Sequence, residues 1–221
     1  MARRLRIQYP GAIYHVMALG NARQVIVGDD ADRRRLLTAL EQSVRRSGWV
    51  LYAFVLMTNH LHLVLKTPRA NLATGMQLFL SSYATWWARR HRAGGHLFQS
   101  RYRNELVEDE TYLWMLTRYI HLNPVRAGIV QRPEQWPWSS YPGYARRRDR
   151  LDWVAYDELL AAWSGEFGRT DAEASYRRFV AAGIADPPAA PWQEARHNWI
   201  LGSERFVIAV ACSAAAHRPI E

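Results

Sequence analysis

The sequence predicts an α+β fold of the ferredoxin-like split βαβ type, an antiparallel sheet with helices on one face, followed by a helical C-terminal extension. Two observations carry this prediction. Short apolar runs alternate with longer segments in which apolar residues recur at three- and four-residue steps, and these are the periods of strands and helices. The order that results is strand, helix, strand, strand, helix, strand, helix, which is the split arrangement with one extra helix.

The first half of this order is defined by apolar runs and the turn residues between them. Asp30 or Asp32 is expected to cap the first helix, whose apolar positions Leu36, Leu40 and Val44 lie on one face before Gly48 ends it. The predicted elements are a strand at 12–19, this helix, and two strands at 49–57 and 61–67 joined by a short turn.

The second half is punctuated by glycine and proline. The predicted elements are a helix at 72–91, a strand at 97–107 and a helix at 109–122. Gly94-Gly95 ends the first of these helices, and Asn123-Pro124 is expected to stop the second, because the residue before proline avoids helical backbone angles. In the tail, Pro187-Pro188 marks a break, and Ser203 is expected to cap a last helix.

Charge divides the chain into two parts. Residues 1–150 contain 23 Arg and Lys against 10 Asp and Glu, whereas residues 151–221 contain 6 against 10. We take the arginine run 146–148 as a linker between a domain at 1–145 and an extension at 151–221. A basic domain of this kind is suited to nucleic acid, although a solvated basic face would show the same composition.

Several classes of protein are excluded by what the sequence lacks. No stretch reaches the roughly 18 apolar residues of a membrane span, and residues 1–6 are not followed by the apolar core of a signal peptide. Cys212 is the only cysteine, so neither an internal disulfide nor a thiolate zinc cluster is expected. We therefore expect a cytoplasmic protein with no membrane partner.

His60 and His62 are the first candidate functional residues. They stand at the start of a predicted strand, so both imidazoles point to one face while Leu61 and Leu63 point to the other. Two histidines in this arrangement can share a divalent cation. A pair at this spacing is also common as ordinary polar decoration.

Tyr119 and Asn123 are the second candidate pair. A four-residue step places them one turn apart on one helix face. Because a tyrosine hydroxyl has a pKa near 10, it is a poor nucleophile at neutral pH unless a metal polarises the phosphate that it attacks. In the alternative interpretation, Tyr119 is a core residue and Asn123 a helix C-cap. Tyr112 shares the same face and is the second candidate nucleophile.

Five runs of residues share the order and spacing of a known family. They are 10–16 (PGAIYHV), 57–64 (MTNHLHLV), 95–102 (GHLFQSRY), 118–128 (RYIHLNPVRAG) and 136–141 (WPWSSY). Together they resemble the REP-associated branch of the single-tyrosine HUH transposases, an insertion-sequence type of enzyme, over about residues 3–142. Several ordered motifs are far more specific than any one of them.

The resemblance implies roles for particular residues. His60 and His62 would be metal ligands for Mg²⁺ or Mn²⁺, Asn123 the third ligand, and Tyr119 the nucleophile. The implied activity is the cleavage and rejoining of single-stranded DNA through a 5′-phosphotyrosine link. Relatives recognise hairpins formed by repeated palindromes, so hairpin DNA is the expected partner. The sequence leaves open whether the chain works as a monomer or a homodimer.

Further basic and aromatic residues are candidates for DNA contacts. The arginines expected to hold phosphates are Arg101, Arg103, Arg118 and Arg126. Trp136, Trp138 and Tyr141 either stack on unpaired bases or close the core, and we expect the core. Two other functions stay open: a non-catalytic regulator that binds DNA or RNA hairpins, and a metal-dependent hydrolase that uses activated water. The hydrolase would survive loss of Tyr119.

Overall fold

A computed structural model describes residues 7–108, 110–168, 171–187, 190 and 200–206. The strands are β1 (Ala12–Leu19), β2 (Val50–Leu56), β3 (His60–Thr67), β4 (Arg103–Val107) and β5 (Ile200–Leu201). The helices are α1 (Asp30–Ser47), α2 (Leu72–His91), α3 (Glu110–Arg126), α4 (Tyr141–Ala145), α5 (Tyr156–Phe167) and α6 (Ala172–Ala185). Among the described residues, no helix is long and apolar enough to cross a membrane.

The sheet has the strand order β2-β3-β1-β4-β5. The pairs β1–β3, β1–β4 and β2–β3 are antiparallel, which confirms the predicted split βαβ arrangement. Only β5 departs from it, because this two-residue strand adds to the edge in parallel with β4. The sequence gives no signal for so short a strand, and the tail was expected to be helical.

The two faces of the sheet differ in chemistry. On β3, His60 and His62 occupy one face, and the fully buried Leu61 and Leu63 occupy the other. Helices α1 and α2 pack against each other, as the right-handed rule for both crossovers requires when it places them on one face. The extra helix α3 lies over the histidine face, where Tyr119 contacts His62, so the expectation that the helices share one face does not hold for α3.

Helix α1 begins one residue before the predicted position. Asp29 is the N-cap, and its carboxylate accepts a hydrogen bond from the Asp32 backbone N–H at 2.9 Å. The expectation that Asp30 or Asp32 caps the helix is therefore wrong. Asp32 is instead fully buried and pairs with Arg90 and His91 of α2. The predicted end is confirmed, since Gly48 adopts left-handed angles as the C-cap.

Helix α3 continues through Asn123-Pro124 to Arg126, so the expectation that this dipeptide stops the helix is wrong. Proline removes one backbone donor but leaves its own carbonyl available. The Pro124 carbonyl accepts from the Ile129 N–H at 3.0 Å, and Gly128 ends the segment with a left-handed φ of 67°. Asn123 is therefore a residue of the last helical turns and not the C-cap.

The strand predicted at 97–107 is shorter in the structure. Before Arg103 the chain forms bends, with one isolated bridge between Gly20 and Phe98 and a left-handed φ of 52° at Ser100. Left-handed angles interrupt a strand. The apolar content of this segment reflects burial of Leu97 and Tyr102 rather than sheet pairing.

The chain beyond residue 145 packs against the rest of the molecule. The Ala155 N–H donates to the Leu51 carbonyl at 2.8 Å, and Glu158 accepts from the Tyr52 hydroxyl at 2.6 Å. Trp163 of α5 meets Trp114 of α3 edge to face, with ring centroids 5.2 Å apart. The division into two units remains a prediction, but these contacts make the tail part of the support of α3.

Candidate active site

His60 and His62 lie together on β3 because alternate strand residues share a face. Their ring centroids are 5.1 Å apart, and the ring planes are nearly perpendicular. Burial lowers the pKa of the His60 imidazole, and burial together with the charges of His15 and His60 lowers the pKa of His62 well below its usual range. Both rings are therefore neutral at neutral pH, which is the form that binds metal ions.

Tyr119 and Asn123 of α3 face these two histidines. The rings of Tyr119 and His62 are 6.0 Å apart in an edge-on arrangement. The Asn123 side chain acts on both, because it raises the pKa of His60 and lowers the pKa of Tyr119 against the larger effects of burial. The four residues that the sequence singled out on two separate elements thus meet in one place, with Asn123 as the bridge.

Opposing influences act on the Tyr119 hydroxyl. Burial raises its pKa, whereas the charge of Arg126 and the hydrogen bond from Asn123 lower it. The Arg126 guanidinium carbon lies 4.5 Å from the centre of the Tyr119 ring, within the range of a cation–π interaction. The hydroxyl is therefore protonated at rest but lies beside a fixed positive charge.

The remaining arginine candidates are not all near this cluster. Arg103 is exposed on the histidine face of β4, opposite Met17, which in turn stands opposite His62. Two strand spacings separate Arg103 from His62, or roughly 10 Å. Arg101 is exposed in the preceding bend. Arg118, by contrast, lies 4.6 Å from the ring of Phe179 in the tail, on another side of α3.

Two aromatic candidates belong to the core, as expected. Trp136 and Tyr141 are buried, whereas Trp138 is only partly buried. Tyr112, the second candidate nucleophile, stands seven residues before Tyr119, which is two helical turns or roughly 10 Å along the axis. The two tyrosines therefore cannot serve the same position beside His62.

Three polar neighbours of the histidines were not identified as functional from the sequence. The Asn59 side-chain oxygen lies 2.7 Å from Nδ1 of His60. His15 Nε2 lies 3.0 Å from His62 Nδ1, and Glu105 lies 2.5 Å from His15 Nδ1. His15 and Glu105 are polar residues on strand faces that are otherwise buried. This feature points to a functional role only when the strand register, which pairs the two residues, is known.

The donor set suits a divalent cation. Within the described ranges, no group of three or more His, Cys, Asp or Glu side chains is placed to hold a metal ion. Two neutral imidazoles and the Asn123 amide do converge, however. Imidazole nitrogens bind transition-metal ions, and so small a set would leave positions on the ion for waters and substrate phosphate oxygens.

The chain belongs to the IS200-like transposase family, whose model matches residues 8–123. The matched range contains both histidines, Tyr119 and Asn123, and the resemblance to the single-tyrosine transposases is thereby confirmed. No significant match is found among curated protein sequences.

Solved structures are similar to this chain at low sequence identity. A REP-associated tyrosine transposase bound to a REP hairpin is 16% identical, covers 72% of this chain and 93% of its own, and superimposes with a TM-score of 0.56. A transposase structure from Deinococcus radiodurans is 19% identical over 52% of this chain and 93% of its own, with a TM-score of 0.39. The tRNA(His) guanylyltransferase of Saccharomyces cerevisiae is 11% identical over 91% and 88%, with a TM-score of 0.41.

Proposed function

We propose that this transposase cleaves and rejoins single-stranded DNA with the Tyr119 hydroxyl as its nucleophile. One observation carries the proposal: the Tyr119 ring lies edge-on to the His62 ring at a centroid distance of 6.0 Å, and His62 in turn lies beside His60, so that the hydroxyl stands beside the histidine pair. In the alternative interpretation of these residues, no contact between the helix and the histidines was required. The arrangement supports a role for Tyr119 as the nucleophile toward a phosphate held at the histidines.

The chemical step is a transesterification. The Tyr119 oxygen attacks a backbone phosphorus, its bond to phosphorus forms, and the bond from phosphorus to the 3′ oxygen breaks. The hydroxyl proton ends on that 3′ oxygen, which leaves as a 3′ hydroxyl, and the 5′ phosphate stays on the tyrosine. A second 3′ hydroxyl can reverse the step, so strands are rejoined without ATP.

The chain's own residues prepare this step. Since burial raises the pKa of Tyr119, the hydroxyl has to lose its proton during attack. Arg126 supports the developing phenolate through its charge, and Asn123 orients the oxygen by hydrogen bonding. A Mg²⁺ or Mn²⁺ ion held by His60, His62 and Asn123 would withdraw charge from the phosphate.

The substrate that we propose is a DNA hairpin with single-stranded flanks. The excess of basic residues in 1–150 supports a polyanion. Arg101, Arg103 and Arg126 are exposed, and Arg103 and Arg126 lie on the side of the histidines, where they can hold successive phosphates. The similar transposase is described as bound to a REP hairpin. A hairpin formed by a palindromic repeat is therefore the first substrate to test.

The test is a search for the covalent adduct. A hairpin with a dye at its 3′ end is incubated with protein and Mn²⁺, and a denaturing gel resolves the products. The dye is expected to move with the protein, because the 5′-phosphotyrosine link retains the 3′ portion of the strand. A hairpin labelled at its 5′ end is expected to release a free labelled strand that ends in a 3′ hydroxyl.

Tyr119→Phe removes one oxygen and keeps the ring, so the variant is expected to fold, bind the hairpin and form no adduct. Tyr112→Phe is the matched control on the same helix and is expected to keep full activity. If the two outcomes were exchanged, Tyr112 would be the nucleophile. If both variants still cleaved, water would be the attacking group and the proposal would be wrong.

A further inference from the structure

Three side chains form a hydrogen-bonded line across neighbouring strands, behind the site. Glu105 on β4 lies directly opposite His15 on β1, and its carboxylate oxygen is 2.5 Å from His15 Nδ1. The other nitrogen of His15, Nε2, is 3.0 Å from Nδ1 of His62 on β3. The line therefore runs from a carboxylate through one imidazole to a second imidazole that faces Tyr119.

The line is buried and well aligned. His15 and His62 are each 2% exposed, and the Glu105 side chain is 15% exposed. The two imidazole planes are only 10° apart, with centroids separated by 5.2 Å. Coplanar rings at this distance point the donor of one toward the lone pair of the other. Buried polar groups are costly unless they are satisfied in this way.

The carboxylate gives the line a direction. An ionised carboxylate only accepts hydrogen bonds, so Nδ1 of His15 must carry a proton. When His15 carries a single proton, that proton is the one on Nδ1, and the lone pair on Nε2 accepts a hydrogen from His62 Nδ1. His62 with its proton on Nδ1 has its lone pair on Nε2. The Glu105 carboxylate thus selects the tautomer of His62.

We propose that Glu105, acting through His15, is a positioning residue that holds His62 in the tautomer with its lone pair on Nε2. This inference rests on the metal-binding role given to His62 in the proposed function. Metal-binding histidines commonly donate their second ring nitrogen to a fixed acceptor, which sets both tautomer and orientation. Here the acceptor is the imidazole of His15. The Glu105 carboxylate, one strand farther away, fixes which nitrogen of His15 carries the proton.

Glu105→Gln tests the direction of the line with almost no change of shape. An amide can donate as well as accept, so the line can reverse and place the His62 proton on Nε2. The protein used is full length, carries Tyr119→Phe to prevent cleavage, and contains ¹⁵N-labelled histidine. Mn²⁺ affinity is measured by titration calorimetry, and the tautomers of His15 and His62 are read from their ring ¹⁵N shifts without metal.

Mn²⁺ affinity is expected to fall about 10- to 100-fold in Glu105→Gln, with hairpin binding in EDTA unchanged. Glu41→Gln is the matched control: Glu41 pairs with Arg45 on the surface of α1, and its replacement is expected to leave Mn²⁺ affinity unchanged. In the parent protein, both His15 and His62 are expected to carry their protons on Nδ1.

Unchanged Mn²⁺ affinity in a folded Glu105→Gln protein would overturn the inference. A parent protein whose His62 carries its proton on Nε2 would overturn it as well, and this measurement needs no variant that might fail to fold. Neither readout depends on DNA cleavage. The role of the hydrogen-bonded line can therefore be correct even if Tyr119 proves not to be the nucleophile. Equally, the Tyr119 adduct can form even if that role is wrong.

Discussion

The two sides of helix α3 are both buried, yet they carry different chemistry. On the side that faces the sheet, Tyr119 and Asn123 meet the histidines of β3, and a carboxylate, Glu105, stands behind them. On the side that faces the tail, His121 lies between two hydroxyls, with Ser140 Oγ 3.0 Å from its Nε2 and the Tyr176 hydroxyl 3.1 Å from its Nδ1.

His62 and His121 would look alike if burial were the only criterion. Burial lowers the pKa of both imidazoles, that of His121 to about 3. The partners of His121, however, are neutral hydroxyls, and the rings of Tyr141 and Tyr144 pack around it. A perturbed pKa therefore marks a buried group, and only the chemistry of its partners separates a candidate ligand from a core residue.

Substitutions on the side of α3 that faces the sheet are expected to have the largest effect, and that effect is on catalysis. His60→Ala or His62→Ala is expected to reduce adduct formation to background. The metal ion that would polarise the phosphate loses one of its protein ligands in each variant. Hairpin affinity, measured by fluorescence anisotropy in EDTA, is expected to stay within a few-fold, since binding rests on arginines spread over the basic region. Equal loss of binding in a folded variant would instead mean that the histidines contact DNA directly.

On the tail side, the expected effect is on stability. Trp163 is buried against Trp114, and Trp163→Ala is expected to lower the free energy of unfolding by about 3–5 kcal/mol, as measured by urea denaturation. Phe167 of the same helix is 43% exposed, so Phe167→Ala is the matched control with a smaller loss. If the loss in Trp163→Ala were as small as that in Phe167→Ala, the tail would not form part of the core that supports α3.

The smallest effect concerns the pH dependence of stability. Because burial lowers the pKa of His121 to about 3, the unfolded chain binds a proton below pH 6.5 that the native protein does not bind. Stability from this group is therefore complete above about pH 6.5 and is lost as the pH falls toward 3. Between pH 7 and 5 the loss amounts to roughly 2 kcal/mol.

His121→Gln keeps a polar side chain and removes the titration. The free energy of unfolding is measured in urea at pH 7 and at pH 5. Its decrease between the two pH values is expected to be roughly 2 kcal/mol smaller in this variant than in the parent protein. The same decrease in both proteins would mean that His121 is already accessible to protons in the native state.

Much of the candidate site was predictable because its elements are local. Strand alternation places His60 and His62 on one face, and a four-residue helical step places Tyr119 and Asn123 on another. The bounds of β1 and α2 were also predictable, since their apolar patterns have one period from end to end. Predictions failed where a single residue was given too much weight, as with Pro124, whose missing donor costs one hydrogen bond but does not end α3.

The sequence by itself determined the periodic elements, the split order of the sheet, the family and the residue types that can carry chemistry. The tertiary structure decided that β5 closes the edge, that the tail supports α3 and that His15 and Glu105 stand behind His62. The physical reason is the range of the interactions. A helical or strand period is written in neighbouring residues, whereas Glu105 reaches His62 only through the register of three strands that are distant in the chain.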